Sequence, residues 1–173
     1  MITEEQEKWV KHLDLKKIDV FPYNPKTKEV FEKVKNKIQK FLGNVGVSHC
    51  GSTGLGISGK GEIDLYVPVA PANFDKHLVK MTENLGKPRS IYPARRARWV
   101  EYVDDIMVEI FLINKECQDW TSLVIFEGYL KNNPEELKSY ENLKKNANGA
   151  NHQDYARGKI EFINYILEKA KNG

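Results

Sequence analysis

Cysteine is scarce in this sequence of 173 residues, which contains only Cys50 and Cys117. A small secreted domain held together by disulfides is far richer in cysteine, and two isolated thiols lack the spacing of a metal site. The sequence therefore excludes a disulfide scaffold and favours a reducing compartment.

Long hydrophobic runs are also missing, since no apolar stretch approaches the roughly 18 residues that a membrane-spanning helix needs. The first seven residues are rich in acid and lack the apolar core of a signal peptide. The composition is ordinary for a globular chain, with 40% hydrophobic residues, 29% charged residues and a net charge of +3. We therefore expect a soluble cytoplasmic protein with no membrane partner, folded as a single domain.

Hydrophobic periodicity predicts an α+β fold with a mixed sheet built mainly in the first two-thirds of the chain. Thr3 and Gln6 have the spacing of a capping box at the first helix. Helices are expected at 3–13, 26–42, 72–85, 118–131, from 134 to a break at 148–149, and 154–171. Strands are expected at 16–21, 45–50, 62–69, 98–103 and 106–113, with the last two joined as a hairpin.

A glycine-rich loop follows the strand at 45–50 and is the strongest chemical signal in the sequence. It contains four glycines after Gly51, the hydroxyls of Ser52 and Thr53, and Lys60. Glycine lets the backbone approach a ligand closely, and successive N–H groups form a concave anion site. The residue pattern of this loop is close to the sequence motif of a phosphate-binding P-loop. However, such a loop must open a helix and carry Ser or Thr after the lysine, whereas residue 61 is glycine and a strand follows.

Three carboxylates are candidates for a metal site near this loop. Asp64 lies on the strand after the loop, where a metal could bridge it to a bound phosphate. Glu62 shares its strand face. Glu109 lies inside the apolar stretch 107–111, where an acid needs a partner. A simpler interpretation of Glu62 is an exposed strand residue.

The residues resemble the GrpB family (UPF0157-type), a branch of the nucleotidyltransferase superfamily. The resemblance rests on His49-Cys-Gly-Ser-Thr, then Lys60 and Ile63-Asp64. Further matches are Val20-Phe-Pro-Tyr-Asn-Pro, Trp120, Phe126-Glu-Gly-Tyr-Leu-Lys-Asn-Asn-Pro, Tyr140, Leu143-Lys144, Tyr155 and Lys159. Together they span about residues 16 to 171.

The resemblance implies a nucleotidyltransferase-like core at 1–115, including an N-terminal helix, with C-terminal helices at 116–173 packed on it. It implies that Gly51 and Ser52 hold the phosphates of a nucleotide. It also implies that Asp64 holds Mg²⁺, with Glu62 and Glu109 as further ligands and Glu109 beside Asp64 in catalysis. Active members of the superfamily usually place a second acid two residues after the first, and here that position is Tyr66.

A cluster of arginines is the second unusual feature. Four of the five arginines lie between residues 89 and 98, and no acid occurs between Glu83 and Glu101. The guanidinium group suits bidentate phosphate recognition, so Arg95 and Arg96 are candidates for binding a nucleotide or a nucleic-acid backbone. A solvated basic hairpin is the simpler alternative.

Three functions therefore remain open from the sequence. The first is binding of a nucleotide or other phosphorylated small molecule with Mg²⁺, with transfer of a nucleotidyl group to an unknown acceptor. The second is a non-catalytic accessory module, as in fusions of GrpB-like domains with dephospho-CoA kinases. Tyr66, at the position of the missing second acid, favours this second function. The third is nucleic-acid binding through the arginine cluster. The acceptor, the base and the oligomeric state are not specified by the sequence.

Overall fold

Alternating apolar residues build a five-stranded sheet in the computed structural model, which describes residues 1–172. Its order across the sheet is β1-β2-β5-β4-β3, in which β2 and β5 are parallel and the other neighbours are antiparallel. The strands are β1 (Ser48–Cys50), β2 (Ile63–Val69), β3 (Ser90–Tyr92), β4 (Arg96–Val103) and β5 (Ile106–Asn114).

The sheet belongs to the first of two compact units, formed by residues 23–56 and 61–121 and called here the sheet unit. Its helices include α2 (Lys26–Leu42), the short α3 (Gly51–Leu55) and α4 (Phe74–Leu85). Alternation in β2 buries Ile63, Leu65 and Val67 completely, while the residues between them stay partly exposed. Buried side chains from α2, α4 and this sheet face share one hydrophobic core.

The second unit, called here the helical unit, comprises residues 1–22, 57–60 and the chain from 122 onward. It contains α1 (Glu4–Lys11), α6 (Pro134–Asn146), α7 (His152–Asn172) and the greater part of α5 (Gln118–Asn132). Its buried hydrophobic side chains are Val10, Ile18, Ile57, Phe126, Leu130, Tyr140, Tyr155, Ala156 and Ile166.

The predicted α+β class is confirmed, and several elements match closely. The helix expected at 26–42 has those bounds, and the capping box of Thr3 and Gln6 is present at the start of α1. The predicted hairpin is β4 and β5, whose turn places Asp104 and Asp105 at positive φ. No helix within residues 1–172 combines the length and the apolar character that crossing a bilayer demands.

Two local predictions are wrong, and one strand was not predicted. The stretch 16–21 is not a strand, because only isolated bridges at Lys17 and Phe21 engage it. The strand expected at 45–50 is confined to β1, and the glycine loop that follows begins as the helical turn α3. Strand β3 was missed because three residues carry no periodic signal. That the whole chain folds as one domain stays a prediction.

Candidate functional site

Three carboxylates converge on one face of the sheet. Asp64 on β2 lies opposite Glu109 on the parallel neighbour β5, and Glu62 precedes Asp64 by two residues. Because side chains alternate along a strand, all three project from the same face. Their ligand oxygens all lie within 4.8 Å of one another, and each residue is partly buried. The structure therefore brings together the three acids that the sequence predicted.

Gly51 leaves the space that the Asp64 carboxylate fills. The backbone of Gly51 has φ of +72°, and a Cβ built on it would clash with Asp64 Oδ2 and lie 3.1 Å from Asp64 Cγ. Any larger residue at position 51 is therefore strained in its backbone and also forces the carboxylate to move. The glycine that opens the predicted phosphate turn thus has a specific structural role beside Asp64.

The hydroxyl of Thr53 ties α3 to the residue before β2. Thr53 Oγ1 donates to the Glu62 carbonyl oxygen at 3.1 Å, so it accepts its contact with His49 Nε2 at 2.9 Å. The His49 ring stacks on Phe31 with centroids 4.5 Å apart. Ser52 and Thr53 are both buried. His49 therefore packs against Phe31 of helix α2, and Thr53 holds the backbone of Glu62 through its hydroxyl.

Tyr66 occupies the position of the second acid and is held in an aromatic stack. Its ring lies 4.5 Å from the ring of Phe111 and 5.6 Å from that of Trp120, measured between centroids. Burial, followed by the nearby charge of Asp64, raises the pKa of Tyr66 above its ordinary value. The phenol is therefore neutral across the physiological range and adds no carboxylate to the cluster.

The arginines of the cluster make defined contacts in the sheet unit. Arg98 Nη1 lies 2.5 Å from Glu109 Oε1. Arg95 forms a bidentate salt bridge with Asp119, with N···O distances of 2.9 and 2.7 Å. The guanidinium of Arg96 lies 5.2 Å from the ring centroid of Tyr92 and 5.8 Å from that of Phe111. Arg89 and Arg95 are nevertheless exposed, as expected for a solvated basic hairpin, so that alternative stays open.

Arg98 contacts the carboxylate cluster but was not among the arginines predicted as ligand-binding residues. The signal for it was present, because an acid inside the apolar stretch around Glu109 requires a partner. Arg95 and Arg96, which are in the predicted set, contact Asp119 and the ring of Tyr92, respectively.

The lysine of the glycine-rich loop belongs to the helical unit, with residues 57–60. The preceding residues are firmly held there. Gly59 exchanges two backbone hydrogen bonds with Phe21, and the Ser58 amide and hydroxyl donate to Glu141 Oε1 at 3.2 and 2.9 Å. Lys60 itself lines a pocket of that unit. The P-loop alternative is also disfavoured, since strand β2 follows the loop where a helix would be required.

The motifs of the C-terminal helices form a buried polar cluster in the helical unit. Lys144 is only 5% exposed and donates to the hydroxyl of buried Tyr155 at 3.0 Å. Its ammonium group lies 4.6 Å from the ring centroid of Tyr140, and Lys159 lies 5.7 Å from that of Tyr155. Glu127 is also buried. These contacts give a structural reason for the spacing of Tyr140, Lys144 and Tyr155.

The carboxylate cluster has the chemistry of a site for a hard divalent cation. Mg²⁺ prefers carboxylate oxygens and keeps several waters, so partly exposed acids suit it better than a closed cage. Glu62, Asp64 and Glu109 meet both conditions. Arg98 supplies one positive charge to the same group through its contact with Glu109.

Comparisons with known proteins agree with this architecture. The family model described as GrpB protein matches residues 17–169. A UPF0157 protein of Vibrio cholerae serotype O1 is 23% identical over 150 residues, which cover 86% of this chain and 79% of that protein. The crystal structure of the conserved protein GrpB from Enterococcus faecalis superimposes with a TM-score of 0.67 at 21% identity, covering 88% of this chain and 97% of that one. The structural likeness shows the fold, and the match over residues 17–169 shows that the chain belongs to the GrpB family.

Proposed function

We propose that this protein binds the phosphates of a nucleotide together with Mg²⁺ at the site between Gly51 and Asp64, and transfers a nucleotidyl group. The observation that carries the proposal is the convergence of Glu62, Asp64 and Glu109, whose ligand oxygens lie within 4.8 Å of one another. Ionised carboxylates at that separation repel one another, and a divalent cation relieves the repulsion.

The residues around the cluster have separate roles in this proposal. Gly51 gives the Asp64 carboxylate its space, and Thr53 holds the backbone of Glu62 through its hydroxyl. By resemblance to the family, Gly51 and Ser52 form the turn that holds the phosphates. Mg²⁺, when bound, would neutralise phosphate charge and polarise the phosphorus–oxygen bond that breaks. Asp64 is central, because it contacts the glycine turn and belongs to the carboxylate cluster.

A thermal-shift experiment with ATP, GTP, CTP and UTP, with Mg²⁺ or with EDTA, tests binding. We expect at least one nucleotide to raise the melting temperature of the wild-type protein in Mg²⁺ and not in EDTA. Asp64→Asn should lose that rise, while Asp105→Asn, at an exposed hairpin turn, should keep it. The proposal is wrong if no nucleotide stabilises the wild type, or if Asp64→Asn responds in the same way.

A second candidate function is a non-catalytic module that binds the nucleotide without turning it over. The observation that favours it is Tyr66, a neutral phenol at the position where a second acid is usual, which stacks on Phe111 and lies near the tilted ring of Trp120. An assay for pyrophosphate release separates the two functions. Release that depends on Asp64 supports transfer, whereas Asp64-dependent binding without release supports the accessory module.

A further inference from the structure

We propose a second binding site, in the helical unit, for a small organic phosphate that carries a planar ring. A surface pocket of about 320 Å³ lies there, lined by Lys16, Lys17, Lys60, Phe21, Asp14 and His152 among others. The volume is at the small end of the range for ligand sites. This inference is independent of the carboxylate cluster, which belongs to the sheet unit.

Backbone hydrogen bonds hold the walls of the pocket although they contain no regular strand. The Lys16 carbonyl accepts from the His152 amide at 2.9 Å, and the Ile18 amide donates to Ala150 at 2.9 Å. On the other side, the Phe21 amide donates to Gly59 at 2.7 Å, and the Gly59 amide donates back at 3.0 Å. A site whose backbone is already ordered pays less entropy on binding.

The charged groups of the pocket favour an anion. Three lysines and two aspartates line it, so these five side chains together carry an excess of one positive charge. Asp14 is already engaged, because its Oδ1 accepts from the Lys16 amide at 3.1 Å and lies 3.5 Å from His152 Nδ1. Asp19 is exposed and is an acceptor suited to a sugar hydroxyl. Lys16 and Lys17 are exposed, so their ammonium groups can reach a phosphate without a large desolvation cost.

Phe21 supplies the second element of recognition. Its side chain is 53% exposed at the edge of the pocket, although burying a phenylalanine is favourable. The paired hydrogen bonds to Gly59 fix its backbone, so the ring stays beside the lysines. An exposed aromatic face next to cations is the arrangement that stacks a base while its phosphate is held. A nucleoside monophosphate has both parts and is the appropriate probe.

Amide chemical shifts in EDTA locate such binding without any contribution from a metal-dependent site. We expect AMP to shift the amides of residues 16–18, 59–60 and 151–152, inorganic phosphate to shift the same group at higher concentration, and adenosine to have little effect. The proposal is overturned if AMP shifts none of these amides, or if its shifts centre on residues 51–56 and 61–64 of the sheet unit.

Variants then separate the two elements of recognition. The double variant Lys16→Gln/Lys17→Gln should weaken AMP binding at least about tenfold, since it removes two charge-assisted contacts. The matched control Lys28→Gln/Lys40→Gln removes two exposed charges from α2 and should leave binding unchanged. Phe21→Ala should weaken AMP binding about fivefold or more and leave inorganic phosphate binding unchanged.

Two results distinguish this site from the proposed nucleotide–Mg²⁺ site. Asp64→Asn should retain AMP binding in EDTA even if it abolishes metal-dependent nucleotide binding. Loss of AMP binding in Asp64→Asn, or equal AMP binding by the wild type and the double lysine variant, would contradict the pocket proposal and leave the carboxylate proposal intact.

Discussion

Arg98 and Glu109 form an ion pair on the face of the sheet that carries the carboxylate cluster. Arg98 Nη1 lies 2.5 Å from Glu109 Oε1, and the Glu109 side chain keeps only 15% of its exposure. Glu109 is also one of the three acids that converge there. If a cation binds this cluster as we propose, the guanidinium would compete with it for the Glu109 carboxylate, and Arg98 would weaken metal binding.

Replacing Arg98 by glutamine is expected to strengthen Mn²⁺ binding by roughly threefold to tenfold. The reason is that an ion pair of this partly exposed kind is worth about 1 kcal/mol, and the carboxylate is released from it. Isothermal titration calorimetry with Mn²⁺ measures the change, and Arg89→Gln is the control within the same cluster. Unchanged or weaker Mn²⁺ binding in Arg98→Gln would show that the arginine does not compete with the cation.

Gly51→Ala is expected to destabilise the fold by about 2–3 kcal/mol and to weaken metal binding. The substitution combines a positive φ with a clash against Asp64 Oδ2. Gly56→Ala is a matched control, since Gly56 has φ of +71° and no atom within 4 Å of an added Cβ. It should cost only about 1 kcal/mol and leave metal binding unchanged.

Denaturant unfolding and Mn²⁺ titration of both glycine variants provide the test. The difference between them isolates the contact with Asp64 from the cost of the backbone conformation. Equal losses of stability, with metal binding preserved in Gly51→Ala, would mean that the glycine serves the turn alone.

Tyr155→Phe is expected to lower the free energy of unfolding by about 1–2 kcal/mol. The hydroxyl of Tyr155 accepts a hydrogen bond from Lys144 at 3.0 Å, and both side chains are buried, so the ammonium group loses an acceptor that water cannot replace. Tyr165→Phe is the control, because Tyr165 is 43% exposed and its hydroxyl donates to Glu136 at 3.3 Å on the surface. Urea unfolding should show a cost below about 0.5 kcal/mol for the control. Equal costs would contradict the special role of the buried pair.

Much of the fold was predictable because its elements are long and periodic. The helix α2 and the hairpin β4–β5 follow directly from apolar spacing and a turn of two aspartates. The stretch 16–21 misled the prediction because alternation alone does not show whether a partner strand exists. Its hydrogen bonds instead reach distant residues such as Ala150 and Gly59, which no local pattern reveals.

The site was predictable in its residue types but only partly in its arrangement. Asp64 and Glu109 are 45 positions apart, and only the parallel pairing of β2 with β5 places them opposite each other. The clash that makes glycine necessary at position 51 depends on the carboxylate of Asp64, a contact between the start of α3 and β2. Lys60 looked continuous with the glycine turn in the sequence, but it belongs with residues 57–60 to the helical unit.

Acid is expected to reduce the contribution of Glu141 to stability. Lys145, at 3.0 Å, and then the Ser58 hydroxyl and amide lower the pKa of Glu141 from 4.5 to about 2. Since the folded pKa is the lower one, this stabilisation is present above about pH 4.5 and is lost as the pH falls towards 2.

Glu141→Gln should therefore be about 1–2 kcal/mol less stable than the wild type at pH 7, and the difference should shrink between pH 4.5 and 2. Urea unfolding across this pH range measures it, with Glu135→Gln, an exposed acid of the same helix, as the control. A difference that stays constant down to pH 3 would contradict the assignment.

The most direct test of the central claim is the paramagnetic effect of Mn²⁺ on the amide spectrum of the wild type and of Asp64→Asn. A cation held by Glu62, Asp64 and Glu109 is predicted to broaden the amide signals of residues 62–65 and 108–110 first, at less than one equivalent of Mn²⁺. Asp64→Asn is predicted to lose this pattern while its spectrum otherwise matches the wild type. Broadening centred on another part of the chain, or the same pattern in Asp64→Asn, would contradict the account of the site.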